Sequence, residues 1–316
     1  MKRIFVFLIT ALAYGLCMMA QSNRVATLQH GSDIQAFYGE NALKEACDAA
    51  EEGDVITLSA GEFNCNLIKK AITIRGEGIS KTLVKSDFSP ALPENTTHTL
   101  TLEGLKIAYP SNSSHFLTFS GTSGNEKVVI SKCFFDIGMG AKVAFRNCNA
   151  TIIQSFSYNS VYAQTDSHVT CINSIIDSFL CLNEYSSSNG TFDVQNCVAL
   201  GSSNSSFNYS TIKNTIFQKT SFTLNSTNKS SHCLTLQGFG GFSDSWTVSS
   251  MDGIFTNDYH LSANAAATYI GTDGTQIGIY GGMYPFDTTP DYPLVKKLDV
   301  TGSHKNGKLN VKINVE

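Results

Sequence analysis

The sequence predicts an all-β chain: a solenoid of short parallel strands, with one short helix in front and a strand pair behind. Three observations predict it. A four-residue pattern recurs at a mean spacing of 22 residues. Short apolar runs separated by Asn, Ser, Thr and Gly fill the middle of the chain, with a single amphipathic helical stretch near residue 45. Charged residues are 15% of the chain, below the roughly 25% usual for soluble domains, whereas apolar residues are 42%. That balance excludes a disordered chain, which is highly charged and poor in aromatics.

Taken in order, the chain opens with Met1-Lys2-Arg3, an apolar run from Ile4 to Ala13 and small residues near Ala20. This is the pattern of a secretory signal over residues 1–20, and the run is too short for a membrane span. The expected destination is export: periplasm, cell surface or medium of a bacterium. Cys17 raises a lipoprotein alternative, weakened by Leu16 before it. Without Lys2 and Arg3 the chain holds 20 basic against 26 acidic residues. A nucleic-acid binder needs a basic footprint, so that class is excluded. No later segment is long and apolar enough to predict a transmembrane span.

Glu40 to Glu52 reads ENALKEACDAAEE. Leu43, Ala46, Cys47 and Ala50 fall at i, i+3, i+4 and i+7, one face of a helix expected over Asn41–Glu51, with Gly53 as its stop. Val55–Leu58 and Ala71–Gly76 read as the first strands.

The repeat follows. It is an apolar residue, any residue, a small or polar turn former, then Cys, Ser, Thr or Leu. It occurs as Leu102–Leu105, Ile130–Cys133, Ile152–Ser155, Cys171–Ser174, Val194–Cys197 and Ile212–Thr215, with final positions 28, 22, 19, 23 and 18 residues apart. One such coil cannot bury its own apolar side; stacked coils form a continuous core with ladders of equivalent residues. Phe145–Cys148 falls out of phase and is assigned to a neighbouring strand of the same coil. Eight cysteines follow the signal segment. Cys133 and Cys197 share a slot three coils apart, roughly 14 Å at the strand spacing, too far for a disulfide. Cys133, Cys171 and Cys197 are therefore expected to be buried free thiols, and Cys47 with Cys65 is the best candidate pair for a disulfide.

The stretch NALKEACDAAEEGDVITLSAGEF followed by ITIRGEG resembles the start of a pectate-lyase-like right-handed parallel β-helix, in which a helix plugs the N-terminal end. A second string, Asp258–Leu261 with Gly271–Gly282, is similar to one with which many exported bacterial β-helix proteins close. The resemblance implies one β-helix domain over residues 21–285, and the glycines of the second string are expected to serve turns at the solenoid end. Residues 286–316 then form a linker, marked by Pro285, Pro290 and Pro293, and a strand pair turning at Asn306-Gly307.

The fold hosts lyases, hydrolases and binding proteins, so it does not fix a reaction. Lyases of this type use a Lys or Arg base, often beside bound calcium; hydrolases need two carboxyls at a set separation. The central coils show no adjacent acidic pair. Lys127, Arg146 and His168 are spaced 19 and 22 residues apart, near one coil each, and with Asp136 or Asp166 nearby they are the catalytic candidates; the alternative is a set of scattered solvated side chains. No HxxxH or HExxH spacing occurs, and no metal or cofactor is expected. Calcium at Asp258 or Asp273 is a weaker alternative, since lone turn aspartates usually serve structure. Tyrosines among the coils, such as Tyr158, Tyr162 and Tyr209, suit sugar stacking, and abundant Asn, Ser and Thr suit sugar hydroxyls. The sequence thus points to an exported protein that binds polysaccharide or a cell-envelope partner on its lateral face, without evident catalysis. A polysaccharide lyase or glycoside hydrolase, and a structural spacer, are the alternatives.

Overall fold

The computed structural model describes residues 24–65, 67–85, 89–108, 116–181, 190–201, 204–219, 222–223, 227–236, 243–292, 295–305 and 308–315. The expected signal segment, residues 182–189, Pro293 and Asn306-Gly307 lie outside them. No helix among the described residues is long and apolar enough to cross a membrane.

The chain winds into a parallel β-solenoid of about seven turns. Three sheets run along its axis, of 11, 10 and six strands. The first sheet carries the repeat. Ile56, Ile74, Leu102, Ile130, Ile152, Cys171, Val194 and Ile212 stand in one register, each paired with the next. All are buried, because alternate strand residues point to one face and only the interior face excludes water. The out-of-phase Phe145 lies on the third-sheet strand Lys142–Arg146, as expected of a second strand in the same coil. At the front the strands are antiparallel: a hairpin, Val25–His30 with Asp33–Tyr38, pairs with Val55–Leu58.

The turn former of the repeat has a backbone reason. Gly104, Lys132, Gln154, Asn173, Asn196, Asn214 and His232 all have positive φ, between 45° and 65°. This left-handed conformation bends the chain from the first sheet into the second, and Asn and Gly tolerate it best. After Leu105 in the first copy, the last position of the repeat also has one chemistry. Ser155, Ser174 and Thr215 donate their hydroxyls to the carbonyls of Ile153, Ile172 and Lys213, at 2.8, 2.8 and 3.0 Å. The thiols of Cys133, Cys197 and Cys233 make the same bond to Ser131, Gln195 and Ser231, at 3.3, 3.3 and 3.4 Å. Ser, Thr and Cys alternate there because each is small and carries a donor. All eight cysteines after residue 20 are buried and free. Burial pushes the thiols of Cys133, Cys148, Cys197 and Cys233 up to about 12. Cys47 and Cys65 do meet, as free thiols joined by a hydrogen bond that raises Cys47 well above its usual range.

Helix α1 (Ala42–Ala49) is shorter than expected and buries Ala42, Leu43, Ala46 and Cys47 against the first coil. Ala50 is already extended. The ammonium of Lys70 ends the helix by donating to the carbonyls of Cys47, Asp48 and Ala50, so a side chain from the next coil does what Gly53 was expected to do.

The C-terminal third departs most from expectation. The glycine-rich string does not close the solenoid end; it doubles back along the side. Ile175, Val198, Ile216 and Leu234 of the second sheet form a separate apolar core with Ile254, Leu261, Ala265, Ile277 and Ile279. Helix α2 (Ala263–Thr268), capped by the Ser262 hydroxyl, sits in this cover; at six residues it is too short for periodicity to announce.

From there residues 272–292 run as a strap down the ridge of left-handed turns, toward the front. Asn214 exchanges bonds with Thr272 at 2.9 and 3.2 Å. Asn173 donates to the carbonyls of Ile279 and Gly281 at 2.8 and 2.7 Å, and Gln154 to that of Pro285 at 2.6 Å. Buried Lys132 donates to the Thr289 carbonyl at 2.6 Å and pairs with Asp291. The Tyr292 hydroxyl reaches the Gly76 carbonyl, and its ring lies under Arg75. Pro285 and Pro290 therefore belong to a pinned strap up to Tyr292, where a linker was expected. Gly281 and Gly282 permit close approach: a Cβ would stand 1.8 Å from the Gln276 oxygen and 2.1 Å from the Asn196 amide nitrogen, respectively. The expected strand pair follows as an antiparallel hairpin, Val295–Lys305 with Lys308–Val315, forming its own two-stranded sheet.

Candidate functional site

The C-terminal segment covers the second sheet at Ile175, Val198, Ile216 and Leu234, and the first sheet, with 11 strands, carries the longest regular outward face. Parallel register places its outward side chains in three ranks. One rank reads Thr99, Lys127, Asn149, His168 and Thr191. The next reads Thr73, Thr101, Val129, Thr151, Thr170, Asp193 and Thr211. The third reads Arg75, Glu103, Ser131, Ile153, Ile172, Gln195 and Lys213. Along the axis these positions repeat roughly every 4.8 Å, and across a strand roughly every 6.6 Å. None of the outward apolar residues Val129, Ile153 and Ile172 belongs to either core.

Lys127 and His168 stand in the same rank with Asn149 between them, so they are about two strand spacings apart, roughly 10 Å. Arg146 ends a third-sheet strand and is exposed. Asp166 is an exposed turn residue with positive φ, two positions before the His168 strand. These four thus share the corner where the third sheet passes into the first. No ion pair among the described residues joins any two of them. Asp136 does not belong with them: it lies on the second sheet, paired with Lys106 at 3.0 Å. The left-handed turn at Lys132 carries the chain from the first sheet into the second before Asp136 and so removes it from the corner.

The partner of His168 is Asp193, which spacing did not single out. The two are joined at 3.2 Å through Nε2, while Nδ1 meets the Thr191 hydroxyl at 2.8 Å. One coil here is 23 residues, so Thr191 falls opposite His168 and Asp193 two residues on; that arithmetic was the available signal. Beside the pair is a depression of about 260 Å³ lined by Thr170, Ile172, Asp193, Gln195, Thr211 and Lys213. It offers hydroxyls, one amide, one carboxylate, one ammonium and an apolar patch. Such a set can exchange hydrogen bonds with a polyhydroxyl chain and stack against its apolar ring faces. Asp193 is its sole carboxyl, and the paired carboxyls of a glycoside hydrolase are not assembled in this depression.

The wall beside Lys127 is held by Glu126, which is 1% exposed. Its carboxylate accepts from the Thr122 and Ser123 hydroxyls at 2.8 and 2.9 Å and from the Ser123 amide. Burial opposes its charge, but these hydrogen bonds outweigh that effect and lower it to about 2.

Of the two aspartates considered for calcium, Asp258 occupies a left-handed turn. Asp273 accepts from the Thr275 amide and hydroxyl at 2.9 and 2.6 Å. Burial opposes its charge, and the Thr275 bonds prevail and lower it. Among the described residues no group of three or more His, Cys, Asp or Glu gathers in metal-binding geometry. Of the tyrosines, Tyr158 and Tyr209 are exposed, at 55% and 69%, and Tyr162 is half-buried on the third sheet.

No protein-family model, curated protein or solved structure matches the chain.

Proposed function

We propose that this is an exported bacterial protein of the pectate-lyase-like β-helix type that binds a polysaccharide of the cell envelope or its surroundings along the outward face of the first sheet. The observation that carries the reading is the three-rank array in which Thr, Asn, Gln and Ser side chains predominate, repeating at strand spacing and interrupted by half-buried apolar residues and a few charged ones. A polymer of like sugars also repeats, so successive units can meet equivalent partners on successive coils. Binding sites for such ligands combine apolar surface with a few placed polar groups, and the depression at Thr170, Gln195 and Lys213 has that make-up. The basic start and apolar run of the first 20 residues support export.

Affinity electrophoresis through gels containing pectin, alginate, a glycosaminoglycan or a neutral glucan tests the reading. We expect retardation by at least one polymer, weakened about tenfold in a Gln195→Ala/Lys213→Ala variant, with no release of unsaturated or reducing ends. Absence of retardation by every polymer, or retardation unchanged in the variant, refutes it. Turnover of any polymer that Arg146→Ala abolishes without unfolding replaces it with the enzyme reading.

A further inference from the structure

The corner between the second and third sheets holds a second depression, of about 250 Å³, on a face different from the proposed polymer surface. At its floor is Asp177, a carboxylate 3% exposed, with the Ser160 and Ser178 hydroxyls each 3.4 Å from Oδ2. Lys142, Tyr158 and Met139 form its rim.

The rim is built rather than incidental. Asn159 is buried, donates to the carbonyls of Gly138 and Ala141 at 2.7 and 3.2 Å, and accepts from the Ile137 amide at 3.0 Å. Three bonds from one side chain thus brace the loop over 137–141. That loop holds Met139 out at 93% exposure. Tyr158 and Phe116 are exposed at 55% and 44%, and the Lys142 ammonium lies 5.5 Å over the Phe116 ring. Two exposed large side chains, Met139 and Tyr158, stand with Lys142 on a braced rim over a buried carboxylate, and Phe116 and Tyr162 flank the lysine from the third sheet; such a grouping is a recognition surface rather than scattered surface residues.

The charges select the ligand. An anion would meet Asp177, and a cation would meet Lys142. A neutral polyhydroxyl ring satisfies both: its hydroxyls donate to the carboxylate and accept from the ammonium, while its C–H face rests on Tyr158. The volume is below the roughly 300–1,000 Å³ of pockets for drug-sized ligands, and the depression has room to seat a single ring. We infer that this corner is a binding pocket for one neutral hexopyranose unit, separate from the first-sheet face. The ligand class rests on the glycan reading above, but the location does not.

Saturation-transfer NMR with the methyl glycosides of glucose, galactose, mannose and N-acetylglucosamine tests it. At least one is expected to show transfer that falls at least fivefold in both Asp177→Asn and Tyr158→Ala and persists in Gln195→Ala/Lys213→Ala. Tyr158 is exposed, so its variant tests the pocket without threatening the fold. Absence of transfer from all four glycosides, retention of the signal in either pocket variant, or its loss in the first-sheet variant overturns the inference. Failure of the polymer reading shows instead as unretarded electrophoresis with the monosaccharide signal intact.

Discussion

Replacing Asn173 by alanine should loosen the strap from the solenoid and cost about 2–3 kcal/mol. Asn173 is fully buried, and its amide donates to the carbonyls of Ile279 and Gly281 at 2.8 and 2.7 Å. Alanine removes the donor to the Gly281 carbonyl and leaves the Ile279 carbonyl with the Phe286 amide alone, a loss of roughly 1 kcal/mol each. Its backbone must also hold a φ of 45°, which costs a residue with a Cβ and no local hydrogen bond roughly 1–2 kcal/mol. One effect runs the other way: Asn173 Oδ1 is itself buried without a partner, and removing it returns roughly 1 kcal/mol. Asn173→Gly separates the two causes, since glycine adopts the left-handed backbone freely while still losing the donors. It should be about 1 kcal/mol less damaging than alanine. Urea unfolding at constant m-value measures both. Hydrogen exchange at the amides of Gly281 and Phe286, which bond back to Gly278 and Ile279 within the strap, reports the local opening. An Asn173→Ala variant within 1 kcal/mol of the parent, with strap exchange unchanged, would refute the view that the turn ridge anchors the strap.

Two further outcomes follow from the chemistry of buried groups. The Glu126 carboxyl titrates near 2 in the folded chain against about 4.3 unfolded, so it favours the folded state above the unfolded value. That contribution, on the order of 3 kcal/mol, is lost as pH falls from about 4.3 toward 2. Glu126→Gln should therefore unfold with a shallower dependence on pH over that window, and parallel profiles for the two proteins would contradict the assignment. Cys133, Cys171 and Cys197 are fully buried, and burial raises all three thiols. A thiol reagent at pH 8 should leave them unmodified in the native protein and label them in denaturant; native labelling of any of the three would show an open core.

The legibility of the candidate site followed the same physics. Lys127 and His168 were placed in one rank because strand residues in register stack, and residue spacing measures register once the coil length is known. Asp136 was misplaced because spacing by coils cannot tell which of three sheets a residue lands on; that depends on the turns between. Asp193 went unseen because its link to His168 is diagonal, joining one coil to the next two residues along the strand. The pocket at Asp177 was invisible for a stronger reason. Its parts come from a loop tip, a corner and a third-sheet strand, and only the turn angles bring them together.

By itself the sequence determined the coil. Ile130, Ile152, Cys171 and Val194 recur at intervals that place them inward, and the residue two places on is polar and, at Asn173 and Asn196, one that tolerates a left-handed turn. These are local properties, fixed by side-chain size, alternation and φ. The cap was legible too, since the helical face of Leu43, Ala46 and Cys47 needs something apolar to cover. Tertiary structure alone decided where the C-terminal third goes. Its glycines signal tight turns and close approach equally well, and its prolines signal linker and strap equally well. The choice is made at a distance, by the outward apolar residues Ile175, Val198, Ile216 and Leu234, which demand a cover, and by Asn173, Gln154 and Lys132, whose donors meet strap carbonyls more than 100 residues away in the chain. A donor and an acceptor so far apart leave no mark on the local pattern, and they become partners only when stacked coils fix a ridge for the chain to follow.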